Sequence, residues 1–157
     1  MTDLDDLRRL STGYAAAVDA LDGDAFAVLF TTDGELWVPD PTRGTMPTIC
    51  RAGTEELRRV PDGLSRYRST RHRIGPTSYV VNGGTATGEV TGVAHHLSAS
   101  PVASDTGPDG GPGVDTIWFL RYEDEYRRLA AGWRIARRAL HLRWVEERPV
   151  DHAGPGR

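Results

Sequence analysis

From residue 69 to residue 145 the chain reads as one strand after another, and that run limits what the whole can be. Residues 69–81 are rich in Ser, Thr, Tyr, Ile and Val, which suit a pleated, half-buried surface. Asn82-Gly83-Gly84 follows, and this pairing supplies the positive φ that tight hairpins need. Thr85 to Ser98 continues as a second long strand, Val114 to Arg128 as a third and Trp133 to Val145 as a fourth. Ala130-Ala131-Gly132 turns the third into the fourth, and Ser100 to Gly113, dominated by Gly, Pro, Asp and Ser, reads as a loop.

The segment before this run has a different period. Leu4, Leu7, Leu10, Tyr14, Val18 and Leu21 recur at steps of three and four, one apolar stripe on a helix over residues 2–21. Thr2 and Asp5 outline a capping box at its start, and Asp22-Gly23-Asp24 breaks it. Asp24 is the expected cap of a short second helix, Ala25 to Phe30. Glu35 to Val38 reads as a short strand, residues 39–53 as a loop, and Thr54 opens a third helix that ends near Pro61-Asp62-Gly63. Helices first and antiparallel strands after them predict an α+β fold, with a curved sheet wrapped around the N-terminal helices. At 157 residues the chain is the size of one domain. The reading assigns residues 1–148 to that domain and 149–157 to a flexible polar tail.

Several functions are excluded or disfavoured. No apolar run approaches the ~18 residues a membrane span needs. The N-terminus, Met1-Thr2-Asp3-Leu4-Asp5-Asp6, is acidic and lacks the apolar core of a secretory signal, so a cytoplasmic location is expected. A net charge of −3 gives no basic excess for phosphates, and nucleic acid is not an expected partner. One cysteine, Cys50, rules out an internal disulfide. Phosphate-binding glycine loops, the Gly-x-Ser-x-Gly elbow, paired Cys-x-x-Cys motifs and His-Glu-x-x-His are all missing from the sequence. His95 and His96 are adjacent, so on a strand they point to opposite faces, a poor arrangement for holding one metal ion. No metal and no cofactor is expected.

What remains is acid–base chemistry spread along the chain. Tyr14 and Asp19 lie on the first helix, His72 at the start of the first long strand, His95 and His96 on the second, Tyr122 on the third, and Arg138 and His141 on the last. Five residues is roughly 140° around a helix, so spacing alone does not bring Tyr14 and Asp19 together. Tyr14 also fits the apolar stripe as a plain core residue.

At these residues the sequence resembles the SnoaL-like branch of the nuclear-transport-factor-2-like superfamily. Four segments carry the resemblance: Tyr14 to Phe30, Thr70-Arg71-His72, Arg121 to Asp124, and Gly132 to Arg138. The nearest pattern is that of the bile-acid dehydratase and hexachlorocyclohexane dehydrochlorinase group. The fold it implies is a cone-shaped α+β barrel, with the N-terminal helices packed in a strongly curved mixed sheet around a deep apolar pocket. It also implies that Asp19 orients His72, that His72 is the base, and that Tyr14 matches the tyrosine of the bile-acid enzyme. The dehydrochlorinase has lysine at that last position, a departure, and its pocket arginine falls on Arg138.

Strand alternation extends the expected pocket. Ala86, Gly88, Val90, Gly92, Ala94 and His96 share one face, a small-residue wall with room for a bulky ligand; a β-bulge would put His95 there instead of His96. Trp118, Leu120 and Tyr122 line the next strand by the same rule. The function expected is a cofactor-independent lyase or isomerase of the dehydratase type. Its substrate would be a bulky hydrophobic small molecule such as a polyketide, terpenoid or steroid. Two alternatives stand beside it: a polyketide-type cyclase, aldol or pericyclic, in natural-product biosynthesis, and a non-catalytic small-molecule binding protein. Family members commonly pair through the outer sheet face, so a homodimer or homotrimer is expected.

Overall fold

In the computed structural model, which describes residues 2–40, 42–99 and 111–151, two helices precede the first strand, a third follows the second strand, and all three pack into one six-stranded sheet. Helix α1 runs from Asp3 to Asp19. Its capping box forms as the sequence suggests: the Thr2 hydroxyl accepts from the Asp5 N–H at 3.3 Å and Asp5 accepts from the Thr2 N–H at 3.0 Å. The helix ends in a Schellman turn. The Asp22 N–H reaches back to Ala17 O at 2.9 Å and the Leu21 N–H to Val18 O at 3.1 Å. Leu21 takes the left-handed conformation there, φ 56°, where glycine is usual and a side chain costs about 1–2 kcal/mol.

That turn feeds straight into α2, Gly23–Ala27. Its cap is Asp22, which accepts from the Ala25 N–H at 2.9 Å, and not Asp24, because the reversal begins two residues sooner than the sequence pattern suggested. Gly23 lets α2 lie against α3, Gly53–Arg58: a Cβ at that position would stand 2.1 Å from the Arg58 carbonyl oxygen. A 3-10 turn, Pro61–Leu64, follows α3.

The strands are β1 Phe30–Pro39, β2 Pro47–Ala52, β3 Ser69–Asn82, β4 Thr85–Ala99, β5 Gly113–Leu129 and β6 Gly132–Val150. They lie in the order β2-β1-β6-β5-β4-β3. Among the described residues only the β1–β6 pairing is parallel, so the sheet is mixed, curved and open, with β2 and β3 at its edges. Strand β2 lies inside the stretch read as loop. It is an edge strand, and proline at the start of such a strand leaves no ladder bond unmade. Strand β6 runs five residues past its expected end at Val145. The expected loop 100–113 and tail 149–157 lie largely outside the described residues.

The stripe of α1 docks on the concave face of the sheet. Leu7, Leu10, Tyr14 and Val18 are buried against Phe26, Val90, Tyr122 and Ile135, while Leu4 stays 40% exposed. At its base the core encloses an ion pair: Arg138 Nε and Nη2 donate to the two Asp124 oxygens at 2.8 and 2.7 Å, and neither side chain is exposed.

Candidate functional site

Asp19 sits in the last turn of α1, which carries no basic residue. A carboxylate there meets the negative end of the helix dipole, so local structure does not favour it. The sheet supplies what the helix lacks. The Thr70 hydroxyl donates to Asp19 Oδ1 at 3.0 Å and the His72 backbone N–H to Oδ2 at 2.9 Å. The His72 imidazole meets Oδ1 through Nδ1 at 2.7 Å. Burial raises the Asp19 carboxyl pKa, but the hydrogen bonds from His72 and Thr70 and the His72 charge outweigh it and hold the group below its ordinary value. An ionised Asp19 fixes the Nδ1–H tautomer of His72 and leaves Nε2 with a free lone pair on the far edge of the ring.

His72 lines a cavity of about 600 Å³ between the helices and the concave face of the sheet. Its other walls include Tyr14, His96, Trp118, Leu120, Tyr122 and Leu140. Of the residues singled out in the sequence, Tyr14, His72, His96, Trp118, Leu120 and Tyr122 all reach this one space, and Asp19 stands behind His72.

Tyr14 is both core and pocket. Its ring contacts Phe26 at 4.9 Å and Tyr122 at 5.5 Å between centroids. Burial pushes its hydroxyl up to about 12, despite the nearby Arg138 charge, so at neutral pH it is a phenol that donates. His96 is buried, and its Nδ1 meets Thr116 O at 3.1 Å, which makes Nδ1 the protonated nitrogen. Burial, joined by the charges of His72 and Arg66, pulls its pKa down to about 4 against the help of the Thr116 bond. His96 is therefore neutral, stands at right angles to His72 with centroids 5.7 Å apart, and packs on Trp118 at 4.9 Å. Strand β4 has no bulge along its pairing with β5, so His95 faces outward and pairs with Asp115 at 2.7 Å.

Two expectations are corrected. Arg138 does not line the cavity. It lies beneath it, its guanidinium 4.4 Å from the centroids of both Tyr14 and Tyr122, with its charge committed to Asp124. The pairing forms because Asp124 and Arg138 are direct partners in the β5–β6 ladder and face inward together. The small residues of β4 do not leave a wall open for ligand either. A Cβ on Gly88 would stand 2.7 Å from the Tyr79 ring, and one on Gly92 would stand 3.2 Å from Leu120. Those glycines make space for side chains of the protein, and of that face only His96 reaches the cavity.

Several lining residues were not singled out in the sequence: Leu36, Val38, Val60, Leu64, Arg66 and Tyr67. They come from β1 and from the irregular segment after α3, where no periodicity signals a face. Thr70 was legible only as part of the Thr70-Arg71-His72 segment, without its role of holding Asp19. Among the described residues no three His, Cys, Asp or Glu side chains form a metal cluster, and no helix is long and apolar enough to cross a membrane.

Comparison with known proteins agrees with this architecture. A family model described as a SnoaL-like domain matches residues 1–139. No curated protein sequence matches the chain. Among solved structures, the hexachlorocyclohexane dehydrochlorinase LinA-type3 from Novosphingobium barchaimii LL02 is similar at a TM-score of 0.74 and 15% identity, over 98% of this chain and 99% of that one. A scytalone dehydratase-like protein from Novosphingobium aromaticivorans DSM 12444 gives 0.72 at 19% identity, over 98% and 92%. A protein from Kribbella flavida gives 0.75 at 22%, over 92% and 93%. At these identities the structural likeness speaks for the fold.

Proposed function

The chain belongs to the SnoaL-like domain family, and from that premise we propose that it is a cofactor-independent lyase of the dehydratase type. The observation that carries this reading is the Asp19–His72 hydrogen bond at 2.7 Å on the wall of an apolar cavity. A structural histidine needs no such arrangement, in which three donors converge on one carboxylate and leave the outer imidazole nitrogen free.

In the proposed reaction His72 Nε2 takes a proton from a carbon beside a carbonyl. The released electron pair forms a carbon–carbon double bond as the β C–O bond breaks. The Tyr14 hydroxyl protonates the departing oxygen, so water leaves, and the His72 imidazolium passes its proton through that water to the Tyr14 phenolate, which restores both groups. Asp19 stays ionised and supports the imidazolium. Each proton-transfer group contributes about 10²–10⁴-fold, which suits activated C–H bonds. The substrate class that fits is a bulky, hydrophobic molecule of polyketide, terpenoid or steroid type.

The test is turnover of cyclic β-hydroxy ketones followed by mass spectrometry. We expect loss of one water with the wild type, and a fall of about 10²-fold or more in His72→Ala. Ligand recovered unchanged would favour a binding protein. Ring closure that survives His72→Ala would favour a cyclase in which the pocket only shapes its substrate.

A further inference from the structure

The polar residues around the cavity opening are not balanced in the same way on every side. Five charged side chains line it: Asp40, Arg51, Glu56, Arg59 and Arg66. Both carboxylates have cationic partners on the protein. Asp40 lies 3.6 Å from Arg43 and accepts from Thr42, while Glu56 lies 3.6 Å from Arg59 and 4.0 Å from Arg51. Arg66 differs. Among the described residues no carboxylate is within ion-pair distance of it.

Arg66 is nevertheless held in place. One Nη donates to Gly63 O at 3.0 Å and the other to the Tyr67 hydroxyl at 3.2 Å, and its guanidinium lies over the Tyr67 ring at 4.8 Å. These partners are neutral. They fix the guanidinium's plane without cancelling its charge, and they use only two of its five donors. The Tyr67 ring in turn packs on His96 at 5.0 Å, so the arginine joins a continuous stack that ends at the inner wall of the cavity. Arg66 is exposed while the inner walls are buried, which places it at the rim.

We propose that the substrate carries a carboxylate, taken by Arg66 at the rim while its apolar body fills the cavity. This rests on the reading of the cavity as a substrate site. A planar guanidinium with spare donors matches a carboxylate edge to edge. Glu56 balances only one of the two charges of Arg51 and Arg59, so the rim carries a positive balance that favours an anion, and Arg66, with no carboxylate in ion-pair distance among the described residues, is the arginine placed to take it. A carboxylate at the rim stays in contact with water, so it avoids the cost of burying a charge.

The test compares 2-naphthoate with 2-naphthamide, neutral and of the same shape, by calorimetry on the full chain at low salt. The wild type is expected to bind the naphthoate roughly tenfold more tightly, the worth of one charge-assisted contact at a partly exposed site. Arg66→Gln erases the preference, and Arg66→Lys keeps part of it. Equal affinities in the wild type, a preference that survives in Arg66→Gln, or no binding of either compound overturns the proposal. His72→Ala retains the preference, because no chemistry is being read. An Arg66-dependent preference in a protein that dehydrates nothing would leave this inference standing and remove the lyase reading.

Discussion

His96 lies in the cavity wall as a neutral ring, and that has a thermodynamic signature. Its folded pKa is about 4 against an ordinary 6.5. The unfolded chain therefore binds a proton that the folded chain refuses between these values. Stability from this group is complete above pH 6.5 and falls as pH drops toward 4. The size is on the order of 3 kcal/mol. His72, Arg66 and Asp115 all act on this ring, and Asp19, its own pKa depressed, adds a further loss only below about pH 4. Urea unfolding at a series of pH values should show the fall between 6.5 and 4 in the wild type and a flatter profile in His96→Asn. At this scale the sequence was informative through the resemblance, which named Asp19 and His72, the two residues that the fold brings to 2.7 Å, whereas helix spacing alone gave Asp19 no partner. It was misleading at Arg138, because a strand pattern tells which face a side chain takes but not whether a buried partner across the ladder will claim it.

Strands β5 and β6 are joined beneath the cavity by Asp124 and Arg138, and that pair also ties the sheet to α1. Arg138 Nη2 donates to the Ser11 hydroxyl at 3.2 Å, and the Tyr126 hydroxyl donates to Asp124 at 2.5 Å. Removing one partner strands a buried charge, so Asp124→Ala or Arg138→Ala is expected to destabilise by about 3–5 kcal/mol. The double replacement Asp124→Leu with Arg138→Met should recover much of that loss, measured by chemical unfolding. If the single and double variants were equally damaged, the cost would lie in packing and not in the orphaned charge. The long elements were readable because period and turn residues agree over many positions: β3, β4 and β5 match their expected ranges within one residue at either end. Strand β2 and the Arg66-Tyr67 segment were not, since both take their shape from neighbours in space.

The whole molecule is an open curved sheet closed on one side by helices, and its convex face carries its own signal. A register shift between Phe119 and Leu120 lets Leu142 turn inward and leaves Trp144 outside, stacked on Phe119 with centroids 4.3 Å apart and 51% exposed. The homodimer or homotrimer expected from the sequence would use this face. Light scattering on a sizing column should give two or three times 17.2 kDa; a clean monomer would contradict it. On the concave side, His72, oriented by Asp19, is the group proposed to take a proton from carbon. The most direct measurement needs no leaving group: deuterium exchange at the acidic carbon of 2-tetralone in D₂O, followed by NMR. The wild type should accelerate exchange over buffer, Asp19→Asn should retain a fraction of that rate, and His72→Ala should return to the buffer rate. Equal exchange in wild type and His72→Ala would mean that the pair at 2.7 Å holds the fold together and performs no catalysis on such carbon acids.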